Sequence, residues 1–154
     1  QRQMCIRDRD WALVVVGKVD KPIFLEELKA ITNKHSIDNQ VYFIDETSDI
    51  ITYYQAAKIV ISPSFSEGFS LVIAEAMSCG CSVIATKNVG IHSSLVSHNN
   101  NGYLFEAGNI AELENLILQL IKKEVPFLGD QAREEILRNW SAKKEANNLM
   151  ELYK

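Results

Sequence analysis

The sequence lacks most of the features that would assign it quickly. It has no apolar run near the roughly 20 residues that a membrane-spanning helix requires, and no signal-peptide pattern opens it. It has no excess of positive charge. A net charge of −4 and a pI of about 5.4 argue against a nucleic-acid surface or a patch for anionic membranes. Cysteine is scarce, three in 154 residues. The number is odd, and Cys79 and Cys81 stand too close for an ordinary structural disulfide, so a reducing, cytoplasmic setting is expected. Familiar catalytic signatures are missing as well. Ser66 cannot head a nucleophile elbow, because G-x-S-x-G would need glycine at position 64, which is serine. VVVGKVDK is neither a Walker loop nor G-x-G-x-x-G. Cys79-Gly80-Cys81, even drawn together with His92 and His98, lacks the two-residue knuckle and the second cysteine pair of a structural zinc site, so no metal is expected.

What is present is enough apolar material for a core. With 47% hydrophobic and 23% charged residues, the composition is that of one soluble globular domain. No internal repeat, low-complexity tract or linker interrupts residues 10–154. The first nine residues, QRQMCIRDR, are polar, carry three arginines and do not match the apolar segment WALVVVG beyond them. They are set aside as a tail foreign to the fold, and the natural chain is expected to begin further upstream.

Strands and helices alternate from there. Trp11 to Gly17 predicts a buried strand, and Pro22 opens a helix to about His35 with Phe24, Leu25, Leu28 and Ile31 at helical spacing. Val41 to Ile44 is a second strand, Asp49 to Ala57 a short helix, and Lys58 to Ser62 a third strand. A loop then leads into a helix from about Ser70 to Cys79, followed by a fourth strand, Ser82 to Thr86. A turn near His92 to Ser97 precedes a small strand at Gly102 to Phe105. Asn109 caps the next helix, with Glu112 completing a capping box. That helix runs to about Lys123 and buries Leu113, Leu116, Ile117, Leu120 and Ile121. Helices near 130–139 and 142–153 finish the chain; the last carries Ala142, Ala146, Leu149, Met150 and Tyr153 on one stripe. Apolar strands alternating with helices predict an α/β, Rossmann-like, doubly wound parallel sheet. Ligands of such sheets sit beyond the carboxyl ends of the strands.

At one such end lies SPSFSEGFSLVIAEAMSCG, residues 62–80. Gly68 lets a backbone approach a ligand and turn into the helix. The amides of Phe69, Ser70, Leu71 and Val72 would be the first, unpaired donors of that helix, a ready anion site. Glu75 lies on the helix behind them. Glu67 and Glu75, about 12 Å apart along a helical rise, would then flank the amides on one broad side. A nucleotide sugar has that layout, with Glu75 on the ribose diol and Glu67 on hydroxyls of the sugar. Plainer readings exist. Glu67 favours a helix N-terminus anyway, and Glu75 can ride a solvated edge. Phe65 and Phe69 read as packing or pocket-wall residues, and Lys18 and Lys21 as surface lysines.

ExxxxxxxE inside S-x-x-E-G-F-S-L-V-x-x-E-A-M-x-x-G resembles the signature of the retaining GT-B glycosyltransferases, glycosyltransferase family 4 (group 1). The likeness extends through LVVVG, VYFID, YYQAAKIVISPS, SVIAT, NNNGYLF and NWSAKKEANNLMELY. It implies the C-terminal, donor-binding half of a GT-B fold, with the N-terminal acceptor domain missing. It also implies a parent enzyme that moves a sugar from a UDP- or GDP-sugar donor to a glycan, lipid or small-molecule acceptor. No bound metal is implied. Carried over residue by residue, Glu67 meets the donor sugar, Glu75 the ribose, and Gly68 to Val72 the diphosphate and sugar. The family's description as front-face attack assisted by the leaving phosphate accounts for the lack of an obvious base. The chain departs from the pattern at Cys81-Ser82, where proline is usual two residues after the helix-ending glycine. It departs again at Gly90-Ile91-His92-Ser93-Ser94, which keeps one glycine of a pair and no acid. The alternative is a stand-alone nucleotide-sugar-binding module, or one partner of a split enzyme.

Overall fold

The computed structural model describes residues 11–18, 22–66, 68, 70–90 and 92–140. The chain divides into two compact units, residues 1–49 and 50–154. In the first, β1 (Leu13–Val16) pairs in parallel with β2 (Val41–Ile44), and α1 (Pro22–Lys34) connects them. Leu13 lies opposite Val41 and Val16 opposite Ile44. Pro22 is the first helical residue of α1, where a missing amide proton costs nothing.

The expected burial of β1 is corrected. Leu13, Val14 and Val15 are 52%, 43% and 42% exposed. Phe24, Leu28 and Ile31 of α1 are exposed too, which leaves Leu25 half-buried and Thr32 buried. A two-stranded sheet has two faces, and the described residues of this unit form one helix. Branched side chains made these residues a strand, but the described part of the unit cannot cover it.

The second unit holds the core. β3 (Ile59–Ser62), β4 (Ser82–Thr86) and β5 (Tyr103–Phe105) form a parallel sheet with β4 in the centre. Around it run α2 (Ile50–Ala56), α3 (Leu71–Ser78), α4 (His92–Leu95), α5 (Ile110–Ile121) and α6 (Gly129–Asn139). Every residue of β4 is buried. One apolar cluster gathers Tyr54, Ile73, Met77, Val83, Leu95 and Ile136; another gathers Ile84, Tyr103, Phe105, Leu116, Leu120 and Leu128. The two flank the sheet because successive residues of β4, Val83 and Ile84, point to opposite faces. Parallel strands joined through helices give the Rossmann-like α/β class that the alternation predicts.

Local chemistry sets the boundaries. Asn109 Oδ1 accepts from the Glu112 amide at 3.1 Å, as a capping residue should. The reciprocal half of the box is rerouted. Glu112 Oε2 takes the Glu106 amide at 2.9 Å, since the Asn109 amide already donates to the Glu106 carbonyl. At the far end of α3, Gly80 has φ 83, its amide donates to Met77 O, and the Cys81 amide donates to Ala76 O. Those two bonds with a left-handed glycine make a Schellman close. Of α5's expected apolar face, Leu116 and Leu120 are buried, while Leu113, Ile117 and Ile121 are half-buried. The helix expected at 142–153 and its stripe lie outside the described residues.

Candidate functional site

β3 ends at buried Ser62, and the chain reaches α3 through the loop that contains Gly68. Ser70 is the N-cap of α3, with φ −80 and ψ 82, yet its side chain makes no capping bond. It is 1% exposed, and its Oγ has no hydrogen-bond partner among the described residues. The first bond of the helix runs from the Ala74 amide to Ser70 O at 3.2 Å. The amides of Leu71, Val72 and Ile73 therefore open α3 without a side-chain cap. That concentrates the positive end of the helix dipole on whatever acceptor comes next.

Gly68 is exposed and does not adopt a positive φ. A Cβ placed there would meet nothing within 4 Å. Neither backbone angle nor internal packing requires a glycine at this position, and the space beside it is open.

Glu75 is half-buried on the outer face of α3, one turn inside the helix. With Ala74 and Ser78 it borders a hollow of about 270 Å3 whose other walls include Ile51, Leu95, Ile136 and Trp140. That volume lies at the lower edge of the roughly 300–1,000 Å3 usual for small-molecule pockets, so it suits one ring of a larger ligand. Among the described residues no lysine or arginine forms an ion pair with Glu75. Its close neighbour is Tyr54, 7% exposed, on α2. Burial first, then the charge of Glu75 and a hydrogen bond to it, push the Tyr54 hydroxyl from its ordinary 10.0 up to about 12.

The loops after β3 and β4 are tied together. Thr86 Oγ1 donates to Ser64 O at 2.8 Å. Its one hydrogen being committed, the contact with His92 Nδ1 at 3.2 Å requires the imidazole to donate, and the same nitrogen reaches Thr86 O at 3.1 Å. His92 Nε2, the other ring nitrogen, is buried and without a partner among the described residues. Lys87 follows β4 and is engaged by Glu106 at 3.1 Å and Glu112 at 3.9 Å.

The cysteines and histidines weighed as a metal set have separate uses. Cys81 Sγ donates to Tyr54 O at 3.1 Å, and burial, then nearby Cys79, push its thiol up to about 11. His98 Nδ1 accepts from the Leu104 amide at 2.9 Å, while His92 serves Thr86. No group of three or more metal-binding side chains occurs among the described residues. Phe65, expected as a packing or pocket-wall residue, is 77% exposed, so the loop holds it outside the core and packing is not its role. Glu67, Phe69 and Lys21 lie outside the described residues, and so does the spacing of Glu67 from Glu75. Of the expected site residues, Gly68 lies in the loop before α3, Ser70, Leu71 and Val72 at the start of that helix, and Glu75 within it. Sequence reasoning passed over Tyr54, although Ile50, Tyr54 and Ala57 form an i, i+4, i+7 stripe that marks the inner face of α2.

Comparison with known proteins is consistent throughout. The model of the family described as glycosyl transferases group 1 matches residues 2–148. An uncharacterized glycosyltransferase of Haemophilus influenzae is 33% identical over 141 residues, an alignment covering 85% of this chain and 39% of that protein. The chain thus spans about two-fifths of that relative's length. Among solved structures, Anabaena HepE in complex with UDP is 29% identical with a TM-score of 0.74, over 83% of this chain and 36% of HepE. The C-terminal domain of the group 1 glycosyl transferase LpcC from Francisella tularensis is 28% identical with a TM-score of 0.77, over 88% of this chain and 73% of that one. No helix of the described residues is long and apolar enough to cross a membrane. A family match running almost end to end, on a fold shared with these proteins, places this chain among the group 1 glycosyl transferases of the GT-B type.

Proposed function

We propose that this chain is the donor-binding part of a retaining glycosyltransferase of family 4, and that the acceptor site belongs to a domain outside this chain. The nucleotide sugar, a UDP- or GDP-sugar, lies across the start of α3. The backbone at Gly68, Phe69, Ser70, Leu71 and Val72 receives the diphosphate, Glu75 the ribose diol, and Glu67 the transferred sugar. The observation that carries this is the N-terminus of α3. Its capping serine is buried but caps nothing, open space lies beside Gly68, and a half-buried carboxylate sits one turn on. HepE, whose structure was solved with UDP, supports a nucleoside diphosphate as the anion. As the bond from sugar to phosphate lengthens, charge gathers on the leaving diphosphate, where fixed amides stabilise it without reorganising. The acceptor hydroxyl attacks from the departing side and passes its proton to a leaving phosphate oxygen, which retains the configuration. No metal is part of this scheme.

The test is substitution of the two carboxylates. Glu75→Gln weakens UDP and UDP-sugar binding alike, by about 1.5–3 kcal/mol for a charged hydrogen-bond set. Glu67→Gln in the enzyme completed with its acceptor domain lowers turnover and spares the free nucleoside diphosphate. Titration calorimetry that finds both ligands unaffected by Glu75→Gln removes the ribose role. On this reading the 154-residue chain binds donor weakly and transfers no sugar unaided.

A further inference from the structure

We propose that Phe65 is the platform on which the transferred sugar of the donor lies, a positioning residue whose ring face meets the C–H face of that sugar. This rests on the donor reading above, in which the diphosphate lies at the start of α3. It gives a use to a side chain that the core does not take up.

Two ties fix the ring. Ser64, the residue before it, has its carbonyl held by Thr86 Oγ1 at 2.8 Å. On the other side, a Cβ built on Gly108 would stand 3.3 Å from Phe65 Cε1 and 3.6 Å from Cζ. Gly108 belongs to the turn between β5 and α5, which is itself closed by the Asn109 amide on Glu106 O at 2.9 Å. Its φ of 80 and its missing side chain leave room for the ring to come this close. Those two carbons are adjacent atoms on the outer rim, so the ring leans on the turn by its edge. The residue is mostly exposed, so its faces stay open. The loop after β3 therefore carries Phe65 past the end of β4 to the turn after β5. That is the carboxyl edge of the sheet, where ligands of such folds lie.

One exposed phenylalanine is ordinary on a protein surface. Phe65 does not stand alone. Leu71 and Val72 at the start of α3 and Ile110 at the start of α5 are exposed as well. Each follows the carboxyl end of a strand, so apolar surface gathers on the edge that holds the candidate site. Order along the chain selects the part of the donor that meets the ring. Glu75, read as the ribose carboxylate, lies further along α3, whereas Phe65 precedes that helix. The group on the loop side of the diphosphate is then the sugar. A pyranose carries hydroxyls around its rim and C–H bonds on its faces, and those C–H bonds suit the negative face of an aromatic ring. Phenylalanine has no polar side-chain atom, so it sets the plane of the sugar without competing for the hydroxyls. A sugar held in one plane presents its anomeric carbon in one direction.

The experiment titrates the 154-residue chain by NMR with UDP-glucose, UDP-N-acetylglucosamine and GDP-mannose, taking UDP and GDP as references. Phe65 lies outside the core, so replacing it leaves the fold intact. Phe65→Leu should weaken the best-bound nucleotide sugar about two- to tenfold, the worth of one aromatic contact, and leave the matching free diphosphate unchanged. Phe65→Tyr, which keeps the ring, should retain the affinity. The C–H protons of the bound sugar should shift upfield with the native chain and with Phe65→Tyr, and lose that shift with Phe65→Leu. Equal weakening of nucleotide sugar and free diphosphate means that the ring bears on the nucleotide half, and overturns the proposal. A Phe65→Leu chain that binds both ligands as before also overturns it, and the donor reading stands. A native chain that binds none of these ligands removes the donor reading and the proposal together. A second readout needs no ligand. The Gly108 Hα resonances should move in Phe65→Leu, which deletes the ring current beside them. Resonances indifferent to that change overturn the brace on which the proposal stands.

Discussion

β4 and β1 are both short parallel strands of branched apolar residues, SVIAT and LVVV, yet they end in opposite environments. β4 is buried at all five positions, with strands on both sides and a separate apolar cluster against each face. Among the described residues β1 has one partner strand, and three of its four residues are exposed. Composition specifies that a segment will pair as a strand; the number of layers around it decides whether it is buried. The unit at residues 50–154 has those layers, and the candidate site is built on it.

That contrast can be broken most forcefully at Gly129, the first residue of α6. A Cβ there would stand 1.9 Å from the carbonyl oxygen of Gly80 and 2.8 Å from its carbonyl carbon. Backbone cannot yield as a side-chain tip can, so Gly129→Ala should cost about 3 kcal/mol or more. Thermal unfolding would then show the second unit losing its advantage. An unchanged midpoint would mean that α6 does not approach the turn after α3 this closely.

A matched pair sharpens the same contrast with a smaller effect. Ile84→Ala empties a fully buried site in β4 and should cost about 2–5 kcal/mol. Val14→Ala, on exposed β1, should change stability by about 0.5 kcal/mol. Denaturant titrations that find the two costs equal would show β1 to be as well covered as β4.

A further effect is confined to alkali. Tyr54 at about 12 and Cys81 at about 11 are both raised above their ordinary 10.0 and 9.0, so the folded chain binds these protons more tightly than the unfolded chain. Their contribution is complete below about pH 9 and is lost as pH climbs through about 9 to 12, with no change near neutrality. Both lie in residues 50–154, so hydrogen exchange or tyrosine absorbance should report the loss there. Stability that held level across this range would contradict the burial of the two groups.

Much of this was legible beforehand, for local reasons. The bounds of β2 and β4, Pro22 at the start of α1, Asn109 as a cap and Gly80 as a helix end are dictated by neighbours a few residues apart. The exposure of β1 was not legible, because cover comes from other elements. Gly68 was read as a glycine for approach and for a turn; no positive φ marks it as a turn glycine, and open space lies beside it. Ser70 carries the signature of a capping residue, and only its surroundings reveal that it caps nothing. Tyr54 with Cys81, Arg133 with Ser78 O and Gly129 with Gly80 pair residues 27, 55 and 49 apart (the last by subtraction of the two residue numbers), beyond any periodicity.

The hydroxyl of Thr86 makes one mechanical part of two loops. Bonded to Ser64 O at 2.8 Å and met by His92 from the turn into α4, it works as a pin through two levers. A push on the segment leaving β3 is delivered to the segment leaving β4, 22 residues later in the chain, with no side chain changing partner. The carboxyl ends of β3 and β4 therefore yield together or not at all.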